Sequence, residues 1–449
     1  GIFDENSEDE PIFRWAVDHY NTQLEHYGIT FSSITQNISS SDPYETMLTT
    51  CSFLSQRAVA IFGPKNEENI NNVQSICDYK DIVHVITRWV YQPQHNTVIN
   101  FYPFADSLSL VYFQLIMAWE WKSFTIFYEN NESLLRTSDL LKRAKDAGVQ
   151  VAVRKLDETG EQVYRESLKH GLNSGEKNFV IDCRLEILET VLTHAQQVGL
   201  MTSNYKFFIT NLDMHTINLE PFQYNEANIS GIKLTKPSDK IAQETAVNID
   251  TLETMTTEQA LLVDAVAIIT RAIAKTGSFQ SIDPKELGCD SQKSLKHGTS
   301  LANDVKTSTF YNGLTGVIEF DAERFRSNFD LEILKLTEES GLVKTGTWNL
   351  SQGLQLESDA NNDTYNDTES LRNKHFIIIT CLTDPYGMLK ESSNTLTGND
   401  RFEGFGIDLI HELSLMEGFN YTFTIREDKA NGKKLANGSW SGMIGDVME

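Results

Sequence analysis

The sequence predicts an α/β protein of two parallel-sheet lobes, followed by the opening of a further α/β lobe. Three observations carry that reading. From Phe31 to Leu356, short apolar runs bounded by Gly or polar turns alternate with helical periodicities, the pattern of βαβ units and of parallel sheets covered on both faces. So long a run of that pattern would overfill one sheet, so two lobes are expected. The last fifty residues then start afresh. A helix-spaced run from Phe405 to Leu415 follows a Gly-rich turn, and Phe419, Tyr421, Phe423 and Ile425 alternate as a half-buried strand does.

In chain order, strands are expected at Val59–Phe62, Ile82–Ile86, Ser123–Tyr128, Val149–Val153 and Phe179–Asp182. Helices are expected at Tyr44–Gln56, Ala105–Trp119, Ser133–Ala147, Leu185–Val198 and Glu258–Ala274. Glu357–Asn373 holds five acidic residues and almost nothing apolar. Too little apolar surface is available there to offset chain entropy, so it reads as a linker. His375–Thr380 reads as a buried strand that opens the second domain.

Sixty-three acidic against 38 basic residues give a net charge of −25. That argues against nucleic acid or an anionic membrane surface as a partner, since both need clustered Lys and Arg. No apolar run reaches the length that spans a bilayer; Ala260–Ala274 is broken by Asp264 and Arg271. Gly1 starts directly on a segment that reads as mature chain.

Enzyme chemistry finds no footing. "AVAIFGPKNEEN" (58–69) puts a Gly-Pro turn between strand and helix but lacks the glycines of a phosphate cradle. There is no G-x-S-x-G and no H-E-x-x-H. His84, inside a strand, reads as a satisfied core residue. Glu8/Asp9/Glu10 and Glu338/Glu339 read as solvated charges. No cofactor and no metal is called for: Cys51, Cys77, Cys183, Cys289 and Cys381 show no metal-ligand spacing. Cys77, Cys183 and Cys381 lie in apolar contexts and read as buried free thiols.

Asn-x-Ser/Thr sequons at Asn37, Asn131, Asn228, Asn349, Asn362, Asn366, Asn420 and Asn437 favour a cell-surface setting. Asn420 lies inside an expected strand and is the poorest glycan candidate.

The segment Gly398–Leu409 ("GNDRFEGFGIDL") and Trp440–Gly445 ("WSGMIG") resemble the first agonist-binding segment of non-NMDA ionotropic glutamate receptors, the kainate type above all. Gly1–Phe3, Ala58–Pro64, Asn71–Asp78, Ile86–Trp89 and Gly313–Asp321 resemble amino-terminal-domain landmarks in family order. The divergence from the kainate pattern is read as an invertebrate neuromuscular-type branch. The resemblance implies a bilobed, periplasmic-binding-protein-like clamshell over residues 1–356. Lobe one would take 1–103 and 236–312, and lobe two 104–235 and 313–356. A linker, 357–373, and the first part of a second α/β clamshell, 374–449, would follow. It also implies a Cys51–Cys289 disulfide, membrane segments after Glu449, L-glutamate or a related amino acid as ligand, and other subunits of the family as partners. Those partners would form a dimer of dimers, heteromeric. Met47, Leu48 and Phe53 are the interface candidates, with ordinary core packing as the alternative.

At agonist-pocket positions, Pro385-Tyr386 fits the family's Pro-Tyr, but two residues depart. Thr383 falls where the family carries a Glu that helps hold the lobes shut. Ala430 falls on the tyrosine that walls the pocket, unless the alignment shifts locally. A small Ala gives up aromatic contact and cation–π attraction to an ammonium. The reading is therefore a channel subunit with weak or atypical agonist binding. The alternative is a non-channel receptor ectodomain or soluble amino-acid-binding protein on the same clamshell.

Overall fold

The computed structural model describes all residues except 6, 25–27, 40–41, 92–95, 158–163, 235–241, 246–253, 280–284, 358–373, 393–394, 427, 436–438 and 449. The expected linker beyond Glu357, and the sequons at Asn362, Asn366 and Asn437, lie outside the described residues. The chain divides into two compact units, Gly1–Asn361 and Asn362–Glu449.

The first unit opens with β1 (Ile2–Asp4), α1 (Asp9–Leu24), β2 (Gln36–Ile38), α2 (Pro43–Ser55), β3 (Ala60–Phe62), α3 (Glu67–Lys80), β4 (Val83–Ile86) and β5 (Val98–Asn100). β3, β4 and β5 form a parallel sheet, and β1 pairs in parallel with β2. Helix starts follow the sequence chemistry: Asp42 caps α2 through the Glu45 amide, with Pro43 at the first helical position, and Asn66 caps α3. Gly63, at φ +71° in the turn after β3, meets the Ile2 carbonyl so closely that any Cβ would collide with it.

The chain then crosses to the second lobe: α4 (Ala105–Ala118), β6 (Ser123–Tyr128), α5 (Asn131–Arg136), α6 (Ser138–Asp146), β7 (Gln150–Lys155), α7 (Arg165–Asn173), β8 (Asn178–Asp182), α8 (Leu185–Gln197), β9 (Lys206–Ile209), α9 (Glu220–Gln223) and β10 (Asn228–Lys233). It returns to the first lobe with α10 (Thr257–Phe279), which packs on α1, and α11 (Gly298–Lys306). The hairpin β11 (Phe310–Gly313) and β12 (Gly316–Ile318) follows. It is held by Asp264 of α10, whose carboxylate accepts from the Leu314 and Thr315 amides. The expected lobe crossing at 312/313 therefore falls inside a hairpin anchored to lobe one.

The last strands of this unit, β13 (Asp330–Thr337), β14 (Gly341–Asn349) and β15 (Gly353–Leu356), form an antiparallel meander. The meander extends the parallel strands into one sheet of order β15-β14-β13-β10-β9-β8-β6-β7. The sequence reading had parallel sheets only, and the meander corrects it. Buried Trp348 of β14 donates to the Gln114 side chain of α4, tying the meander to that helix.

Four further expectations change. Ser133–Ala147 is two helices that meet at buried Thr137, whose hydroxyl donates to the Ser133 and Leu134 carbonyls. Phe53 is buried in the small cluster around Leu54, Val73 and Cys77, so it is core and offers no interface. Asp9 is buried against Lys65 and is not a solvated charge. Cys381 is only partly buried, since it follows β16 (His375–Thr380) rather than lying within it. Cys77 and Cys183 are buried, and burial pushes both thiols up.

The second unit holds β16, β17 (Met388–Leu389), β18 (Phe402–Glu403), α12 (Phe405–Glu417), β19 (Asn420–Ile425) and α13 (Gly442–Met448). β16 and β19 pair in parallel from His375–Asn420 to Thr380–Ile425. α12 ends at Gly418, which adopts φ +73° as a helix C-terminus favours.

Candidate functional site

The interlobe cleft of the first unit is a concavity of about 480 Å³. Lobe one presents Lys65, Arg88 and Glu258, and lobe two presents Glu132, Arg136 and Asp182. Apart from Glu132 and Arg136, one turn apart on α5, these residues are far apart in sequence and come from different elements, so no motif announced them. Every one of these cations is matched. Lys65 pairs with Asp9 at 2.8 Å and Glu258 at 2.9 Å. Arg136 pairs with Asp182 at 2.7 Å and Glu132 at 2.8 Å, and stacks over Trp89. Arg88 reaches across the cleft to Glu132 at 2.5 Å. Burial alone would lower the Lys65 ammonium, but Glu258 and Asp9 outweigh it and hold it above its ordinary value. The same contest, won by Asp182 and Glu132, raises Arg136.

A second interlobe tie joins Asp213, beyond β9, to the start of α10. Its carboxylate accepts from the Thr257 amide at 2.6 Å and hydroxyl at 2.7 Å. Burial raises Asp213 to about 6, and the two hydrogen bonds oppose that shift. Asp182 also accepts from Thr210 at 2.7 Å. An amino-acid ligand needs donors for its carboxylate and an anion for its ammonium. Here a ligand carboxylate would have to displace Glu132 or Asp182 from guanidinium groups that already hold them.

His84, buried, bonds Gln74 at 2.6 Å and the Gly63 carbonyl at 2.9 Å and is a satisfied core residue. A disulfide joins Cys51 of α2 to Cys289, with Cα atoms 5.5 Å apart. Beside it, Tyr44, Met47 and Leu48 of α2 are 71, 44 and 53% exposed. Among the sequons, Asn131 is exposed at the first position of α5. Asn37 donates its amide nitrogen, the atom a glycan would take, to Glu10 at 2.7 Å. The Asn228 and Asn349 side-chain oxygens accept from Ser230 and Ser351. Asn420, first in β19, is exposed.

In the second unit, Thr383 forms a tight bridge with Gly387, and the Asp384–Pro385 bond is cis. Tyr386 is exposed and meets Phe405 edge-on. Thr383, Glu403 and Lys429 share a shallow concavity of about 730 Å³, whereas Pro385, Tyr386 and Ala430 do not line it. Ala430 lies against the Trp440–Met443 stretch. Its carbonyl accepts from the Met443 amide, and Gly442 at φ +70° passes so close to that carbonyl that a Cβ would clash.

Residues 9–339 match the family described as "Receptor family ligand binding region". Residues 374–449 match "Ligated ion channel L-glutamate- and glycine-binding site". Over its whole length the chain is 32% identical to the mouse protein named "Glutamate receptor ionotropic, kainate 1", covering 56% of it. To the human protein of that name it is 31% identical, covering 52%. The chain belongs to the ionotropic glutamate receptor family. The chain spans about half the length of the curated relatives it matches. No helix among its described residues is long and apolar enough to cross a membrane.

Proposed function

We propose that the chain is the extracellular part of a glutamate-gated cation channel subunit at the cell surface, on postsynaptic membranes, and that its amino-terminal unit serves subunit pairing rather than ligand capture. The carrying observation is the cleft, where Lys65, Arg88 and Arg136 are already paired with carboxylates of the same chain. Exposed Tyr44, Met47 and Leu48 on α2 supply the apolar face that pairing needs, and Tyr79 on neighbouring α3 adds to it. Partners are other subunits of the family, in a heteromeric dimer of dimers.

Residues 374–449 contribute one part of an agonist-binding clamshell whose closure gates the pore, a population shift driven by tighter binding to the closed lobes. With Thr383 and Ala430 at pocket positions, glutamate binds weakly or atypically. Analytical ultracentrifugation of the 1–449 chain tests the pairing role. Reversible self-association weakened about tenfold by Leu48→Glu supports it. A strict monomer at high micromolar concentration counts against pairing with its own kind.

A further inference from the structure

Lys306 ends α11 and is 7% exposed, yet no hydrogen bond or ion pair among the described residues takes up its ammonium. Its place in the last helical turn complements the carbonyl end of the helix. That explains a cation at the helix end but not the pocket beside it. The pocket, about 300 Å³, is lined by Lys306, Asn96, Asn100, Tyr102, Arg324 and Phe325, among others. Arg324 brings a second cation to the same concavity.

The loop carrying Arg324 is built rather than loose. The Arg324 amide donates to the Asp321 carbonyl at 2.9 Å, and the Phe325 amide donates to the Asp321 carboxylate at 2.9 Å. Phe325 stacks on Phe104 at 4.2 Å. Buried Arg326 donates to the Phe101 carbonyl at 2.9 Å and fixes the loop from behind. Two carboxylates are near. Asp78 lies beyond ion-pair distance of Lys306 and accepts from the Thr97 hydroxyl. Glu323, on the rim, pairs with neither cation. Burial, reinforced by Arg324 and opposed by Asp78, lowers Lys306 to about 8.

An ammonium that is largely desolvated and opens only onto this pocket is costly unless a counter-charge meets it, and a second cation facing the same space adds to that cost. An anion in the pocket relieves both. We propose that this pocket binds a small anion, a carboxylate or inorganic oxyanion held between the Lys306 ammonium and the Arg324 guanidinium.

Saturation-transfer NMR on the 1–449 chain with sodium acetate tests this, with sodium sulfate as competitor. Acetate should show a saturable signal that falls at least about fivefold in Lys306→Met and in Arg324→Gln, and is unchanged in Lys344→Met, which alters an exposed lysine paired with Glu332. Displacement of acetate by sulfate would mark a general oxyanion site. Retention of acetate against excess sulfate would mark a carboxylate site. Absence of saturable signal, or equal signal in Arg324→Gln and the unaltered chain, overturns the proposal. Arg324 is exposed, so that variant keeps the test decisive should Lys306→Met fail to fold.

Discussion

The interlobe cleft of the amino-terminal unit and the surface of the carboxy-terminal unit solve opposite problems. In the cleft, cations and carboxylates are desolvated together and satisfied by one another, within each lobe at Lys65–Glu258 and Arg136–Asp182 and across the lobes at Arg88–Glu132. In the carboxy-terminal unit, Phe402, Ile407 and Phe423 are the buried core. Ile377, Phe405, Leu415, Met416 and Val447 are each at least 65% exposed. The difference teaches where chemistry is still available. A cleft whose charges are already paired offers little to an incoming amino acid. A unit with a small core and open faces gains most from further contacts.

The largest expected effect removes the covalent tie of the first unit. Replacing Cys51 and Cys289 together by Ser should destabilise that unit by about 5 kcal/mol on the chain-entropy model, read as a lower denaturation midpoint. The transition of residues 374–449 should not move. If both transitions move together, the two units are not independent and the comparison fails.

Next in size is the cleft network. Arg136→Met should cost about 3 kcal/mol, because Asp182 is left buried without its cation. Equal stability of this variant and the unaltered chain would mean that the paired charges do not hold the cleft. A smaller effect sharpens the same point through pH. Asp213 titrates near 6 in the folded chain, above its ordinary 3.8. Its stabilising contribution is therefore fully present below 3.8 and lost as pH rises through about 6. Thermal midpoints of the unaltered chain relative to Asp213→Asn should rise by a few degrees between pH 7.5 and pH 5. A flat difference removes Asp213 as an interlobe titrating group.

The smallest effect lies in the second unit. In a complete agonist-binding domain, Ala430→Tyr should tighten L-glutamate binding by about 1 kcal/mol, through restored aromatic and cation–π contact. No change would place the pocket wall elsewhere.

Ser123–Tyr128 was legible to the residue, an apolar run bounded by turn residues and short enough for a strand. His375–Thr380 has the expected bounds but not the expected burial, since none of its residues is buried and Ile377 is 69% exposed. The break at Thr137 was not legible, since the apolar period runs across it intact. The antiparallel meander was missed because strands half-covered by α4 do not read as the continuous apolar runs of the central strands. Asp9, read as solvated, is buried against Lys65, a partner that sequence distance conceals. Arg88, Arg136 and Lys306 were invisible for the same reason: their meaning lies in what other elements bring beside them.

The most direct test is a calorimetric titration of L-glutamate into two proteins side by side: residues 1–361, and a complete agonist-binding domain that includes residues 374–449. The account predicts no binding heat for the first and affinity weaker than micromolar for the second. Micromolar or tighter binding to either, with ordinary selectivity, would contradict it.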